Sequence, residues 1–328
     1  MRTVVITGGT AGVGRATARA FADHGDDVAV LARGSDGLES TRHEIEQRGV
    51  RALAIQCDVA DADAVEAAAT RVEEELGEID VWVNNAMTTI FAPIWDITPD
   101  EFRRATEVTY LGGVHGTMAA LRRMKPRDCG AIVNVGSALA YRAIPLQAPY
   151  CGAKHALRGF TDSVRCELIH EESAVRIVSV HLPGLNTPQF SWCRSRFDRH
   201  PQPVPPTYQP EVAADAILWA AETDRREIFV GVPTFKTIWG NKLVPTFLDH
   251  FLADKAWGGQ LTDDKANPDR PDNLFEPVSG DFGAHGVFDA RAREHSPATE
   301  IEKVRPWVLG GAALLLAATT VGLIATSD

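Results

Sequence analysis

Cysteine is scarce in this 328-residue chain: five residues, at 57, 129, 151, 166 and 193, an odd number with no C-x-x-C pair among them. That spacing argues against a disulfide framework and against a cysteine zinc site, and a reducing compartment fits it best. His170-Glu171-Glu172 lacks the second histidine of a zinc protease, so no metal is expected. Positive charge is also short. The chain carries 33 Lys and Arg against 44 Asp and Glu, a net charge of −11, which repels phosphates and excludes nucleic acid as a partner. No secretory signal is expected, because an apolar strand begins at the second residue. What remains, 45% hydrophobic and 23% charged, is the make-up of a globular chain long enough to bury a full core.

Apolar runs at 2–7, 28–31, 52–55, 79–83, 131–135, 177–180 and 228–230 read as buried parallel strands. Between them, helical stretches at 36–48, 61–76, 99–124, 149–172 and 210–222 are long enough for right-handed crossovers. Thr98-Pro99-Asp100-Glu101 and Gln209-Pro210-Glu211 place proline and acid early, as helix starts do. The alternation predicts a doubly wound α/β sheet, with ligand beyond the carboxyl ends of its strands.

At those ends stand the residues with chemistry. The first strand runs into Thr7-Gly8-Gly9-Thr10-Ala11-Gly12-Val13-Gly14 and then an alanine-rich helix. Such a turn lets the backbone approach a pyrophosphate, and the helix N-terminus favours its charge. Gly9 and Gly14 also have the spacing of an ATP P-loop, but Arg15 and Ala16 replace its Lys and Ser/Thr, so that reading fails. Further on come Ser137, Tyr150 and Lys154. Tyr150 and Lys154, four apart, share one face of a helix, and an adjacent ammonium is expected to lower the phenol's pKa toward neutrality. Ser137, ending the preceding strand, would hydrogen-bond the same substrate oxygen.

Together, Thr7-Gly8-x-x-x-Gly12-x-Gly14, Asn84-Asn85-Ala86, Ser137, Tyr150-x-x-x-Lys154 and Pro183-Gly184 make residues 1–232 resemble the short-chain dehydrogenase/reductase family. The resemblance implies a Rossmann-like fold and hydride transfer between a nicotinamide and an alcohol or ketone, with Tyr150 as general acid/base. It implies that Lys154 lowers the Tyr150 pKa and holds the nicotinamide ribose, and that Ser137 polarises the substrate oxygen. Thr7, Gly8, Gly12, Val13 and Gly14 would cradle the cofactor, Asn84 would sit beside the adenosine half, and Pro183 and Gly184 would complete the site. Asp58 would contact the adenine, its alternative being a capping or turn residue. Arg33 stands where NAD-preferring relatives place an acid, which favours NADP over NAD, although Ala11 is not the basic residue many NADP enzymes carry. Two positions depart from the pattern. Thr109 replaces the usual Asn as fourth catalytic member, and Met87 replaces a Gly after Ala86. Thr109 is the one feature leaning toward a different class of function, a non-catalytic dinucleotide-binding scaffold or redox sensor. His155, adjacent to Lys154, is expected at the surface or in packing.

Residues 233–303 form an extension beyond that resemblance. Phe235, Trp239, Val244, Phe247, Phe251 and Trp257 suggest an amphipathic helix over 233–256, either a substrate lid or an ordinary packed helix. From 258 to 296 the chain is rich in Asp, Gly and Pro and is expected to be loop, with His285 in a turn and no chemistry assigned. The last feature is Pro306–Ser327, 22 residues without charge, preceded by Lys303 and Arg305. As a helix it would run about 33 Å, enough for the ~30 Å hydrocarbon layer. Residues 304–328 are therefore expected to be a C-terminal single-pass anchor on the cytoplasmic face of a membrane. A buried or oligomer-forming helix is the alternative. A membrane-tethered enzyme implies a lipophilic small-molecule substrate, with a homo-oligomer as a possible assembly.

Overall fold

The computed structural model describes residues 1–267 and 270–300. Its centre is one sheet of seven strands: β1 (Thr3–Thr7), β2 (Asp27–Ala32), β3 (Ala52–Gln56), β4 (Ile79–Asn84), β5 (Ala131–Ser137), β6 (Arg176–Leu182) and β7 (Glu227–Phe229). The order across the sheet is β7-β6-β5-β4-β1-β2-β3, and every pair is parallel. The chain thus starts in mid-sheet, winds outward to β3, then returns to β4 and winds the other way. The reversal opens a crevice beyond the ends of β1 and β4, where ligands of such sheets lie.

Each strand is apolar on both faces because helices cover both. Val4 and Ile6 face the layer of α1 (Gly12–Asp23), α2 (Ser35–Glu46) and Pro210–Ala220 through Phe21, Leu38 and Ile217. Val5, one residue out of phase, faces α3 (Ala62–Leu76), α5 (Gly112–Arg127) and α6 (Ala148–His170) through Val65, Met124 and Val164. Helix starts follow local chemistry. Asp61 accepts from the amides of Asp63 and Ala64 at 2.9 and 3.1 Å, and Thr98 and Glu101 cap each other's backbone at α4 (Pro99–Thr106).

Three expectations need adjusting. The single helix expected over 99–124 is interrupted by a π-helical segment, Glu107–Leu111, between α4 and α5. The helix expected over 233–256 is two, α8 (Gly231–Leu243) and α9 (Pro245–Gly259), if Pro210–Ala220 is named α7. Pro245 has no amide hydrogen to continue the first helix and instead opens the second. The extension is not all loop: Leu261–Lys265 pairs antiparallel with Arg199–Pro201.

Among the described residues no helix is long and apolar enough to cross a membrane. The expected anchor, Pro306–Ser327, lies outside the described residues.

Candidate active site and nucleotide cleft

The site assembles where β1 and β4 end. Gly8 has a φ of +64°, and a Cβ on it would stand 2.8 Å from Ala86 Cα. A Cβ on Gly14 would stand 2.1 Å from the Gly8 carbonyl oxygen, so only glycine lets α1 begin this close to the turn. Thr7 fixes the two strand ends together. Its hydroxyl accepts from the amides of Asn85 and Ala86 at 3.0 and 3.1 Å and donates to the Val83 carbonyl at 3.3 Å. Thr7 therefore lies behind the turn rather than facing the cleft.

Asn84 is likewise behind the wall. Its Oδ1 accepts from Trp82 Nε1 at 2.8 Å, and its Nδ2 donates to Thr117 Oγ1 and Asn134 Oδ1 at 3.0 and 2.8 Å. With both N–H donors and one Oδ1 lone pair spent inside the core, it is a buried tie between β4, β5 and α5 and does not line the cleft. Asn85 lines it instead.

One cavity of about 620 Å³ runs along the strand ends. Gly8, Gly12 and Val13 line one end with Arg33 and Asp58, and Ser137, Tyr150, Lys154, Pro183 and Gly184 line the other. The strands and α6 thus bring together all the residues read from the sequence except Thr7, Gly14, Asn84 and Thr109. The Thr109 hydroxyl accepts from the Thr88 amide at 3.0 Å and donates to the Thr88 carbonyl at 2.9 Å. It is buried and occupied in both directions. His155, as expected, is exposed, its Nδ1 2.8 Å from the Cys151 carbonyl one turn back.

Tyr150 and Ser137 share a hydrogen bond. Lys154 Nζ donates to the Val135 carbonyl at 2.6 Å and stands 5.7 Å from the centre of the Tyr150 ring. The expected fall in the Tyr150 pKa is not found. Burial pushes the phenol up to about 12, with only the Ser137 hydrogen bond opposing it, and the same burial lowers Lys154 to about 8. Both charged forms are disfavoured because the pocket is poor in water.

At the other end, Asp58 is both a cleft-lining residue and the turn residue considered as its alternative. It lines the cleft, yet Oδ1 accepts from the Ala60 amide at 3.0 Å and Oδ2 pairs with Arg104. Arg33 donates from one guanidinium nitrogen to the Phe275 carbonyl at 2.6 Å and from another to the Asn273 carbonyl at 2.5 Å. These partners lie in the extension, which sequence reasoning left without a role. Asn273, Pro277, Val278, Gly280 and Phe282 line the cleft opposite the glycine turn. The only signal pointing there was the glycine-rich 281–286 segment itself.

The family profile for short chain dehydrogenase matches residues 2–195. The chain belongs to the short-chain dehydrogenase/reductase family. It is an oxidoreductase of that type. It is 31% identical to "Uncharacterized oxidoreductase YxnA" of Bacillus subtilis across 98% of this chain and 88% of that one, an alignment that includes the extension. "Probable oxidoreductase EphD" of Mycobacterium tuberculosis is 33% identical across 67% of this chain and 39% of its own length. Among solved structures, an alcohol dehydrogenase from Thermococcus sibiricus complexed with 5-hydroxy-NADP covers 70% of this chain and 95% of its own, with 29% identity and a TM-score of 0.58. A short-chain dehydrogenase from Streptomyces avermitilis covers 79% and 97%, with 25% identity and a TM-score of 0.64.

The fold of this dehydrogenase is one that binds NAD(P), and the residues present fit such a group. The glycine turn has no side chain to fill the cradle at Gly8 or Gly14, and the cavity joins that cradle to Tyr150 and Lys154 within a volume usual for ligand sites.

Proposed function

We propose that this enzyme interconverts a lipophilic alcohol and ketone with NADP(H), using Tyr150 as general acid/base. The observation that carries the proposal is the arrangement of Ser137, Tyr150 and Lys154 at one end of a cleft whose other end is the glycine turn. The nicotinamide nucleotide, when bound, supplies the hydride or accepts it.

Gly8, Gly12, Val13 and Gly14 would hold its phosphates at the N-terminus of α1, and Lys154 its nicotinamide ribose. Tyr150 remains protonated across the physiological range and so suits the role of proton donor to a carbonyl oxygen. Ser137 orients that oxygen by the hydrogen bond it shares with the same phenol. The ammonium of Lys154 favours the phenolate left behind. Thr109 contributes through the frame, since its hydroxyl is spent on Thr88.

Preference for the 2′-phosphate rests on Arg33. Burial and the neighbouring Arg104 lower its pKa, a situation that an incoming phosphate relieves. The carbonyls of Phe275 and Asn273 take two of its five N–H donors, leaving three among the described residues. The related alcohol dehydrogenase whose structure contains an NADP analogue supports the same reading.

A lipophilic substrate is supported by the cavity wall at the Tyr150 end, which includes Leu139, Ile144, Leu248, Phe251 and Leu252. The outer face of the α8–α9 hairpin exposes Phe235, Trp239, Leu243 and Phe247, and Thr299, next to the last described residue, contacts Gly231 at its base. In sequence, the uncharged run Pro306–Ser327 begins seven residues beyond Thr299. We read this as attachment to a bilayer from which substrate is taken.

The test is oxidation or reduction of lipid, steroid and polyprenoid alcohols and ketones by purified protein, followed by NADPH absorbance. Turnover of water-soluble substrates alone, or equal use of NADH, would overturn the corresponding part.

A further inference from the structure

We propose that residues 273–286 are the outer wall of the nucleotide site, a strap that must lift in its middle for the nucleotide to enter or leave. The proposal rests on the reading of the cleft as a dinucleotide site. The strap lies outside the residues matched by the family profile. It crosses the open side of the cleft, so that Pro277, Val278, Gly280 and Phe282 face Thr10–Val13 and Leu31–Gly34 across the same cavity.

Both ends of the strap are firmly tied. At the near end, Arg270 donates to the carbonyls of Phe190, Ser191 and Cys193 at 2.9, 3.0 and 2.7 Å. Leu274 is fully buried against Ile90, Ala92 and Ala105, and Arg104 holds its carbonyl at 3.1 Å. At the far end, Asp281 pairs with the buried Arg15 at 3.1 Å, and the Gly283 carbonyl accepts the Gly12 amide, at the first turn of α1, at 3.0 Å. Ala284 packs on Ala16 and Ala214.

The middle is held by contacts at the surface. Phe275 is exposed, its carbonyl accepts from Arg33 at 2.6 Å and its ring lies 5.2 Å from the Arg194 guanidinium, and the bond from the Gly280 amide to Asp36 at 2.9 Å is open to solvent. Exposed hydrogen bonds of this kind open at little free-energy cost, whereas the buried ends do not. Phe282 closes the span from above, its ring 4.5 Å from that of Trp192 in edge-to-face contact. A bound nucleotide would therefore lie between the glycine turn and a tethered bridge, and its escape would require the bridge to bow.

Two measurements on the full-length enzyme test this. In the first, hydrogen exchange of 273–286 is followed with and without saturating NADPH and NADH. At least tenfold slower exchange at 275–282 with bound nucleotide is expected. In the second, nucleotide dissociation is timed by fluorescence in stopped flow for wild type, Leu274→Ala and Arg270→Ala, which loosen the near anchor. Both variants are expected to release nucleotide at least tenfold faster. Bound nucleotide with unchanged strap exchange in the wild type overturns the proposal whether or not the variants fold. So does release at the wild-type rate from folded variants. Failure of both nucleotides to bind at all would instead overturn the reading of the cleft, and this proposal with it.

Discussion

Tyr150 and Lys154 affect each other through a dry pocket more than through direct attraction. Because burial keeps the phenol protonated up to about 12, Tyr150 is not expected to set the alkaline limit of carbonyl reduction. Under the proposed mechanism Lys154, lowered by burial to about 8, would set it. kcat/KM for reduction is expected to fall above about pH 8 as the ammonium that favours phenolate is lost, and a pH–rate profile flat to pH 10 would contradict it. Tyr150→Phe removes one hydroxyl and should abolish turnover while NADPH binding stays within a few-fold. Near-normal turnover would remove Tyr150 from the mechanism. Lys154→Ala should damage both. Arg33→Ala is expected to weaken NADPH by about 1.5–3 kcal/mol, the range for a hydrogen bond to a charged group. Since Arg33 also grips the carbonyls of Asn273 and Phe275, NADH should weaken too, but less. Titration of both nucleotides decides it: equal losses would assign Arg33 to the strap alone.

The sheet and its helices were largely legible, because burial on both faces writes continuous apolar runs into the strands and capping residues mark the helix starts. β5 is read as 131–135 and spans Ala131–Ser137; α3 is read as 61–76 and spans Ala62–Leu76 with Asp61 as its cap. Replacing that cap, Asp61→Ala, should cost about 1 kcal/mol in thermal or denaturant unfolding and leave activity unchanged, since α3 is remote from the cleft. Sequence periodicity is blind to a π segment, which differs from its flanking helices only in which carbonyl each amide reaches. It therefore missed Glu107–Leu111, and with it the position of Thr109. The strap was illegible for another reason. Its bonds to Arg33 are made by main-chain carbonyls 240 and 242 residues away, and every residue type carries a carbonyl. The residues at strand ends, by contrast, are found by motif spacing together with the family resemblance those motifs carry. The exceptions, Thr7 and Asn84, turned inward to satisfy buried partners.

Taken as one body, the molecule stores acid-sensitive stability at the sheet's edge strand β7 and at helix α2. Burial tends to raise the Glu227 carboxyl, but hydrogen bonds with His181 and Tyr141 outweigh it and hold the group at about 2. Arg15 and Arg19 hold Glu44 at about 2 against the same opposition. A depressed carboxylate stabilises the fold fully above its ordinary value, and that stability is lost as protons bind from about pH 4.5 down through 2. The melting temperature should fall over that window, and Glu227→Gln should flatten the fall by on the order of 2 kcal/mol. If the wild type melts at the same temperature at pH 5 and pH 3, the carboxylates are not so held. The proposed membrane attachment is also tested on the whole chain. Full-length protein should resist carbonate extraction from membranes, and a chain ending at Glu302 should be soluble and still turn over a small carbonyl. Recovery of the intact protein in the aqueous fraction without detergent would exclude the anchor. The strap, finally, has a consequence in time. Translation proceeds at roughly 5–20 residues per second, so the stretch between Val232 and Arg270 takes about 2–8 s to synthesise after the seven strands are complete. If the strap acts as proposed, the glycine turn would stand open on a finished sheet during that interval, and a nucleotide docking on the nascent chain would be fenced in when residues 270–286 arrive.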